Sequence, residues 1–344
     1  MKRPLSMMAR WWIVAFLPLL AFPQESAARP HPKRPHAHRR AKPAEPTFDA
    51  TAVNDPATRP VVAPGSAGSG VLRAEILLSR AHFSCGEIDG RYGQNLRGAI
   101  LAFQESRGLS PDGVVRGDTW EALNSDTAQA LVTAAISPED VAGPFSPIPE
   151  DMLEKAKLSS LGYSSALEGI AEKYHSSPKL LERLNPKAAF DQAGTEILVP
   201  NAATDPPGKA AKVVVSKSRR TVEALDADGK ILASYPASIG SEHDPLPLGR
   251  WKILGVARDP VFHYNPDLFW DAKENEKAAL PPGPNNPVGV CWIDLSKPHY
   301  GIHGTSEPAQ IGRTQSHGCI RLTNWDVSEL SRMVKPGTPA VLTD

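Results

Sequence analysis

The sequence lacks a disulfide framework, a net charge and a long hydrophobic run. Three cysteines in 344 residues (Cys85, Cys291 and Cys319) exclude a disulfide scaffold and an all-cysteine zinc site, and at least one is unpaired within the chain. The 38 lysine and arginine residues balance 38 aspartate and glutamate residues, which excludes a wholly basic nucleic-acid-binding protein. The apolar run Trp11–Phe22 has 12 residues, well short of the ~20 that span a bilayer as a helix.

The N-terminus has the layout of a secretory signal peptide. Basic residues (Lys2, Arg3 and Arg10) come before the apolar run, and the small residues Ser26–Ala28 follow it. We therefore expect residues 1–28 to be cleaved and the mature chain to reach the periplasm or cell wall, with no stable membrane insertion afterwards. An uncleaved membrane anchor is the alternative.

A proline-rich segment follows this leader. The chain has 34 prolines, more than an ordinary globular protein carries, and its length predicts two to three domains of ~100–200 residues. Residues 29–70 open with a basic run rich in proline and histidine, Arg29–Arg40, and end in the small residues of Pro64–Gly70. This composition predicts a solvated linker with a flexible hinge at its end. The alternatives are a tether to anionic wall or membrane phosphates, or a metal site made by its histidines.

Residues 71–125 carry the pattern of a small three-helix domain. Asn95 is placed to cap the second helix, and Asp118 begins a third helix with Glu121 three residues later, as in a capping box. The apolar stripe of the second helix consists of Leu96, Ala99, Ile100 and Phe103. With its two Asp-Gly turns, this segment resembles the peptidoglycan-binding domain of the three-helix type. A helical spacer without affinity for a ligand is the alternative.

Residues 155–201 predict a small α+β module. Ser165 and Ser177 are placed to cap two short helices, and the apolar residues of Glu196–Pro200 predict a strand. The order of these elements resembles the second half of a LysM glycan-binding module. The first strand of such a module is missing around Leu158–Ser164, so a purely structural spacer is the alternative.

From residue 210 to residue 344 the pattern changes to strands. Runs of β-branched residues and an Asp-Gly turn predict several short strands, and the one convincing helix opens at Asn324. Residues 258–287 are rich in proline, asparagine and aromatic residues, and so long a loop is typical of a lid or a cleft wall. We predict a multidomain protein whose last domain is mainly β.

The residues that can carry chemistry are concentrated in two short motifs, His303–Thr305 and Ser316–Arg321. A cysteine attacks a carbonyl as its thiolate, so Cys319 needs a base nearby, which His303 can supply. Gly318 allows a close backbone turn that leaves N–H groups available to an oxyanion. Each residue alone has an ordinary structural explanation, but together they predict nucleophilic catalysis by a cysteine.

The two motifs, His-Gly-Thr and Ser-His-Gly-Cys-Ile-Arg, resemble the signature of the L,D-transpeptidase (YkuD-type) family over about residues 212–344. The resemblance implies that Cys319 is the nucleophile, that His303 accepts and donates the proton, and that the Gly304 carbonyl orients His303. It also implies an oxyanion hole made by the N–H groups of His317, Gly318 and Cys319. The other motif residues that would shape the site are Ser316, His317 and Arg321.

The resemblance further implies a two-step transfer on peptidoglycan, without a metal or another cofactor. The cysteine would attack the carbonyl of the third residue in a tetrapeptide stem and release D-alanine, and a stem-peptide amine would resolve the thioester to a 3–3 cross-link. The partners are the donor stem, the acceptor amine and the glycan strands. We expect a fragment that begins near Lys209 to fold and retain activity. We also expect the Cys319 thiolate to be the most populated of the three near neutral pH, because of its glycine turn and motif histidines.

Other functions stay open at this point. With water as the acceptor, the same residues make an L,D-carboxypeptidase, and with a protein amine they attach a protein to peptidoglycan. A zinc peptidase or amidase is another candidate, although its motif lacks an acidic residue to serve as base. Its ligands would be His299, His303, His317 and Cys319. A non-catalytic wall-binding protein is the last candidate, and the intact pair of Cys319 and His303 argues against it.

Overall fold

The structure is a computed structural model that describes residues 45–270, 272–273 and 275–344. The predicted leader, residues 1–28, and the start of the predicted linker, residues 29–44, lie outside the described residues. Residues Glu45–Asp344 belong to one unit. Within the described part of the chain, no helix has both the length and the apolar character needed to cross a membrane.

Four helices build the N-terminal domain. They are α1 (Ala50–Asn54), α2 (Ser69–Arg80), α3 (Gln94–Ser106) and α4 (Gly117–Leu123). The stripe predicted for the second helix is buried on α3, where Ile100 has no exposed surface. Phe103 packs edge-on against Phe83, with 5.4 Å between ring centroids. The spacing of apolar residues therefore predicted this helix correctly.

Two caps predicted for this domain are wrong. α3 begins at Gln94, one residue before the predicted cap, and α4 begins at Gly117 without a side-chain cap. Asn95 instead donates from Nδ2 to the Ile311 carbonyl oxygen at 2.9 Å. An asparagine at the start of a helix can cap that helix or bind a loop elsewhere, and here the loop is 216 residues away. The local sequence pattern is the same in both cases, so it could not distinguish the two roles.

The predicted linker is wrong over residues 45–70. This segment contains α1, and its Val53 and Val62 are buried in the core of the helical domain. The Pro60 carbonyl accepts the indole N–H of Trp120 at 2.7 Å. The predicted hinge also runs into the start of α2. Average composition suggested a solvated chain, but burial depends on where the few apolar residues fall, and here two valines reach the core of the helical domain.

The small module contains two strands and three helices. In chain order these are β1 (Leu131–Ala135), α5 (Met152–Ala156), α6 (Ala166–Lys173), α7 (Pro178–Leu184) and β2 (Glu196–Pro200). β1 and β2 pair antiparallel, and Ser165 and Ser177 cap α6 and α7 as predicted. The sequence analysis did not predict β1, which lies before the predicted start of the module at residue 155. It was missed because residues 136–165 separate it from α6.

Eleven strands, one α-helix and two short 3-10 helices form the last domain within the described residues. They are β3 (Lys212–Ser216), β4 (Thr221–Leu225), β5 (Ile231–Pro236), β6 (Ser238–Ile239), β7 (Gly249–Arg258), β8 (Phe262–Tyr264), β9 (Ala278–Leu280), β10 (Cys291–Leu295), β11 (Gly301–His303), β12 (Ile320–Arg321), α8 (Asn324–Met333) and β13 (Pro339–Thr343). β8 and β9 form a hairpin, and the other nine strands form one sheet in the order β5-β4-β3-β13-β7-β10-β11-β12-β6. The predicted mainly β domain, preceded by a helical domain, is confirmed.

The register at one end of the sheet decides which side chains meet. β11 pairs with β10 and with β12, so that His303 lies opposite Trp292 and level with Arg321. Ile302 and Ile320, the residues just before His303 and Arg321, have no exposed surface. Because successive side chains of a strand point to opposite faces, the isoleucines fill the core while His303 and Arg321 share the other face.

The predicted lid loop packs against the small module. Leu161 of the module belongs to one apolar cluster with Leu280 of β9. The Leu161 N–H donates to the Pro282 carbonyl at 3.0 Å, and the Leu161 carbonyl accepts the Asn285 N–H at 2.9 Å. A fragment that begins near Lys209 lacks these contacts, so its lid loop would lose the support of the small module. The expectation that such a fragment retains activity did not take this support into account and stays a prediction.

The helical domain also docks on the last domain. The Ser84 N–H donates to the Ser234 carbonyl on β5 at 2.9 Å, and the Ser234 N–H donates to the His82 carbonyl at the same distance. The Ser84 hydroxyl donates to Oδ2 of Asp326 on α8 at 3.0 Å. These bonds join the domains directly, and they involve polar residues that the sequence pattern did not distinguish from surface positions.

Candidate active site

His303 ends β11 and lines a cleft of the last domain. Its Nδ1 lies 2.7 Å from the Gly304 carbonyl oxygen, and its ring stacks on Trp292 with 5.3 Å between centroids and 13° between planes. Because a carbonyl oxygen can only accept, Nδ1 carries the ring proton and Nε2 keeps the lone pair. The ring of His303 is thus oriented by the backbone carbonyl of Gly304 and not by a carboxylate.

Burial and charge keep His303 neutral. Burial, and secondly the cationic Arg321, lower the pKa of His303 to about 3, and the hydrogen bond to Gly304 opposes them only in part. At neutral pH the imidazole is therefore uncharged. It can accept a proton during a reaction, but it does not form a stable imidazolium beforehand.

Cys319 comes directly before β12 and faces the same cleft as His303. Its thiol contacts the His299 carbonyl oxygen, with 3.6 Å between sulfur and oxygen. Its own carbonyl accepts the hydroxyl of Ser316, which fixes the turn before the cysteine. Four residues of the two predicted motifs therefore line one cleft: His303, His317, Cys319 and Arg321.

The resting form of Cys319 is the thiol. Burial raises the pKa of Cys319 above its ordinary value, although a backbone hydrogen bond with Gly301 and the Arg321 cation act in the opposite direction. Burial also raises the pKa of Cys85 and of Cys291. Desolvation of the Cys319 sulfur thus outweighs the Gly301 hydrogen bond and the Arg321 cation, and the expected order of the three thiolates stays a prediction.

The backbone at Gly318 requires glycine. Its φ is +97°, and a Cβ built there would lie 2.8 Å from Cε1 of Tyr300. Among residues of the described part, neither the Gly318 N–H nor the Cys319 N–H donates to a protein acceptor. Adjacent N–H groups beside a nucleophile are suited to stabilise an oxyanion. The His317 ring packs edge-on against Phe269 of the lid loop, with 5.1 Å between centroids.

The cleft has a volume of about 620 Å³. Phe262 and Phe269 of the lid loop line it, together with Tyr300 and the charged side chains of Asp244 and Lys297. Apolar walls with a few charged groups suit a peptide that carries charges of its own. The sequence predicted the lid loop but not Asp244 or Tyr300, since neither lies in a motif.

Two supporting residues of the site were not predicted. Trp292 reaches His303 through the strand register, which the sequence does not give. Asn324 was predicted only as the start of a helix, but its Oδ1 accepts the N–H groups of Thr305 at 3.2 Å and Val290 at 3.3 Å. The only signal for Asn324 in the sequence is its position shortly after the cysteine motif.

Metal-ligating side chains do not converge in the structure as far as it is described. Outside residues 1–44, 271 and 274, no three His, Cys, Asp or Glu side chains are grouped in a way that could hold a metal ion. The four residues named for a zinc site are therefore not assembled into one.

Two parts of the chain match known families. Residues 210–342 match the L,D-transpeptidase catalytic domain, YkuD. Residues 67–123 match the family described as "Putative peptidoglycan binding domain". The resemblances of the last domain and of the helical domain are thereby confirmed, and the LysM-like interpretation of the small module stays a prediction.

Curated relatives extend the match beyond one domain. "Putative L,D-transpeptidase YkuD" of Bacillus licheniformis is 31% identical over 179 residues, which are 52% of this chain and 93% of the relative. The protein of the same name from Bacillus subtilis is 32% identical over 173 residues, or 50% of this chain and 90% of the relative. Both spans are longer than residues 210–342, so the similarity is not confined to the matched catalytic domain.

Solved structures with similarity to this chain carry the same family name. L,D-transpeptidase 3 from Mycobacterium tuberculosis, in complex with a faropenem-derived adduct, is 19% identical with a TM-score of 0.33 and covers 43% of this chain and 66% of its own. The L,D-transpeptidase from Xylanimonas cellulosilytica is 17% identical with a TM-score of 0.35, and the match covers 83% of this chain and 97% of that structure. On the family match and the curated relatives, the chain belongs to the YkuD-type L,D-transpeptidase family.

Proposed function

We propose that the chain cross-links peptidoglycan by transferring an acyl group from a tetrapeptide donor stem, through a thioester on Cys319, to a stem-peptide amine. The observation that carries the proposal is the orientation of His303. Its Nδ1 is held at 2.7 Å from the Gly304 carbonyl, so the basic Nε2 is available in the cleft that also contains the Cys319 thiol.

In the first step the Cys319 thiol attacks the carbonyl carbon of the third stem residue. As the S–C bond forms, Nε2 of His303 takes the thiol proton, and the N–H groups of Gly318 and Cys319 stabilise the charge on the carbonyl oxygen. This developing negative charge raises the proton affinity of His303, whose pKa is about 3 at rest. His303 then gives the proton to the nitrogen of the departing D-alanine, the C–N bond breaks and a thioester remains.

The second step reverses these transfers. The acceptor amine attacks the thioester carbon, His303 takes a proton from the amine, and the C–S bond breaks as the sulfur recovers that proton. Arg321 and Lys297 supply positive charge to the cleft and would bind the carboxylates of the stems. With water in place of the amine the product is a trimmed stem, so the acceptor alone separates transpeptidation from carboxypeptidation.

The preceding domains would hold the enzyme on its polymeric substrate. We assign glycan or stem binding to the helical domain and LysM-like glycan binding to the small module. The paired strands of that module, with the capped helices α6 and α7 between them in sequence, support the assignment. Attachment to the wall raises the effective concentration of the stems. With the leader predicted at residues 1–28, the enzyme would act in the periplasm or cell wall.

Incubation of the purified chain with disaccharide tetrapeptide, followed by mass analysis, tests the proposal. We expect a cross-linked dimer that has lost one D-alanine, no product with Cys319→Ala, and a strongly reduced rate with His303→Ala. Cys85→Ala is the matched control, because that thiol lies in the helical domain. A product that consists of tripeptide alone would favour the carboxypeptidase, and an active Cys319→Ala variant would refute the thioester.

A further inference from the structure

Asn324 lies directly behind the candidate base. It is 3% exposed, and its Oδ1 accepts the N–H groups of Thr305 and Val290, the residues that follow Gly304 and Gly289. One amide oxygen therefore ties two separate backbone segments together. One of these segments contains the carbonyl that orients His303.

The contact between Asn324 and these segments is very close. A Cβ built on Gly304 would lie 2.3 Å from Oδ1 of Asn324, and a Cβ built on Gly289 would lie 2.1 Å from the same atom. The amide thus occupies the space in which any side chain at either glycine would have to lie. A shift of Asn324 must move the Gly304 peptide, whose carbonyl oxygen is 2.7 Å from Nδ1 of His303.

The other end of the Asn324 amide binds the small module. Its Nδ2 lies 3.1 Å from each carboxyl oxygen of Glu172 on α6 and 3.1 Å from the Pro284 carbonyl oxygen. The Tyr163 hydroxyl donates to Oε2 of Glu172 at 3.3 Å. A continuous chain of contacts therefore runs from a helix of the small module, through Asn324, to the backbone of the candidate base.

We propose that Glu172 is a positioning residue: acting through Asn324, it holds the Gly304 carbonyl in place and so fixes the ring of His303. The inference rests on the proposed role of His303 as the base. It makes α6 of the small module part of the catalytic unit, in addition to any glycan binding by that module.

The charge state of Glu172 does not break this contact. Burial raises the pKa of Glu172 to about 7, with further increases from Glu168 and Glu87 and partial opposition from Asn324 and Tyr163. In the neutral form as in the charged form, at least one carboxyl oxygen can still accept the Asn324 N–H. The positioning role is therefore available on both sides of neutral pH.

Substitutions that reverse the donor and the acceptor between Asn324 and Glu172 test the proposal in the full chain. Asn324→Asp keeps an oxygen for Thr305 but sets a carboxyl group against Glu172, so we expect kcat to fall about tenfold or more from misplacement of His303, with KM within about twofold. Adding Glu172→Gln to Asn324→Asp restores a donor and an acceptor in reversed order and should recover part of the loss, because the Pro284 carbonyl still faces a carboxyl group. Glu172→Ala alone should lower kcat, and Glu182→Gln, an exposed position on α7, should not.

A second measurement does not depend on turnover. In ¹⁵N spectra of the imidazole, assigned with His303→Ala, we expect the wild-type ring to be fixed as the Nδ1–H tautomer and to become an average of tautomers in Glu172→Ala. A changed tautomer without turnover in any variant would refute the proposed function and support the positioning role. Normal kcat together with an unchanged tautomer in Glu172→Ala, or a folded double variant without recovery, would refute the positioning role.

Discussion

The reactivity of Cys319 towards an alkylating agent should rise steeply with pH and show no plateau below pH 9. Only the thiolate is alkylated, and burial raises the pKa of Cys319 above its ordinary value of 9.0. The thiolate fraction is then at most about 1% at pH 7 and about 10% at pH 8. We therefore expect the rate with iodoacetamide to increase about tenfold from pH 7 to pH 8, and about fivefold or more from pH 8 to pH 9.

The assay is alkylation of the full chain, resolved by peptide mass so that each thiol is followed separately. Cys85 and Cys291 are buried and serve as internal controls that should react more slowly. Arg321→Gln removes a cation that lowers the pKa of Cys319, so its rate at pH 8 should be below that of the wild type. A plateau between pH 5 and pH 7 would mean that a thiolate–imidazolium pair exists at rest, and it would refute the argument from burial.

Three substitutions test other parts of the structure. Gly318→Ala, with φ at +97° and a Cβ 2.8 Å from Tyr300, should fold but lose about a hundredfold in kcat in steady-state assays, and a normal kcat would contradict the proposed oxyanion site. Gly283→Ala would place a Cβ 2.2 Å from the Leu161 carbonyl oxygen, so KM and proteolysis of the lid loop should both increase, and unchanged values would show that the lid does not need the module. Burial raises the pKa of Asp326 to about 7, so the stability that its neutral form provides is lost as the pH rises through 7, by about 1.4 kcal/mol between pH 6 and pH 8. Denaturant unfolding measures this change: between pH 6 and pH 8 the free energy of unfolding of Asp326→Asn should fall by about 1.4 kcal/mol less than that of the wild type. An equal fall in both proteins would contradict the raised pKa of Asp326.

Features that depend on neighbours in sequence were predicted well, apart from the caps of α3 and α4. The stripe on α3 and the caps of α6 and α7 follow from residues within a few positions of one another, where helical spacing and capping chemistry determine the result. Residues 45–70 and β1 were missed for the opposite reason. Val62 and β1 are ordered by partners far along the chain, and average composition or a local window contains no information on such partners.

The residues of the candidate site also fall into two groups, those that local motifs indicate and those that only the fold brings together. Its motif residues are close in sequence and were all identified, since a cysteine, a histidine and a glycine turn have few other joint explanations. Trp292, Asn324 and Glu172 were not identified as site residues, because strand register and domain docking bring them to His303. The pKa of Cys319 was also beyond the sequence, since burial of the sulfur is a property of the fold.

The neutral resting pair of Cys319 and His303 has a consequence for an enzyme proposed to work outside the cytoplasm. Oxidants attack thiolates in preference to thiols, and exported proteins work in an oxidising compartment. A half-buried cysteine with a raised pKa is less reactive towards such oxidants than a preformed thiolate would be. The proton needs to leave the sulfur only when a stem is bound and its carbonyl oxygen can take the charge. Burial, an uncharged histidine and a backbone carbonyl in place of a carboxylate thus act together, because each one delays ionisation of the nucleophile until the substrate is present.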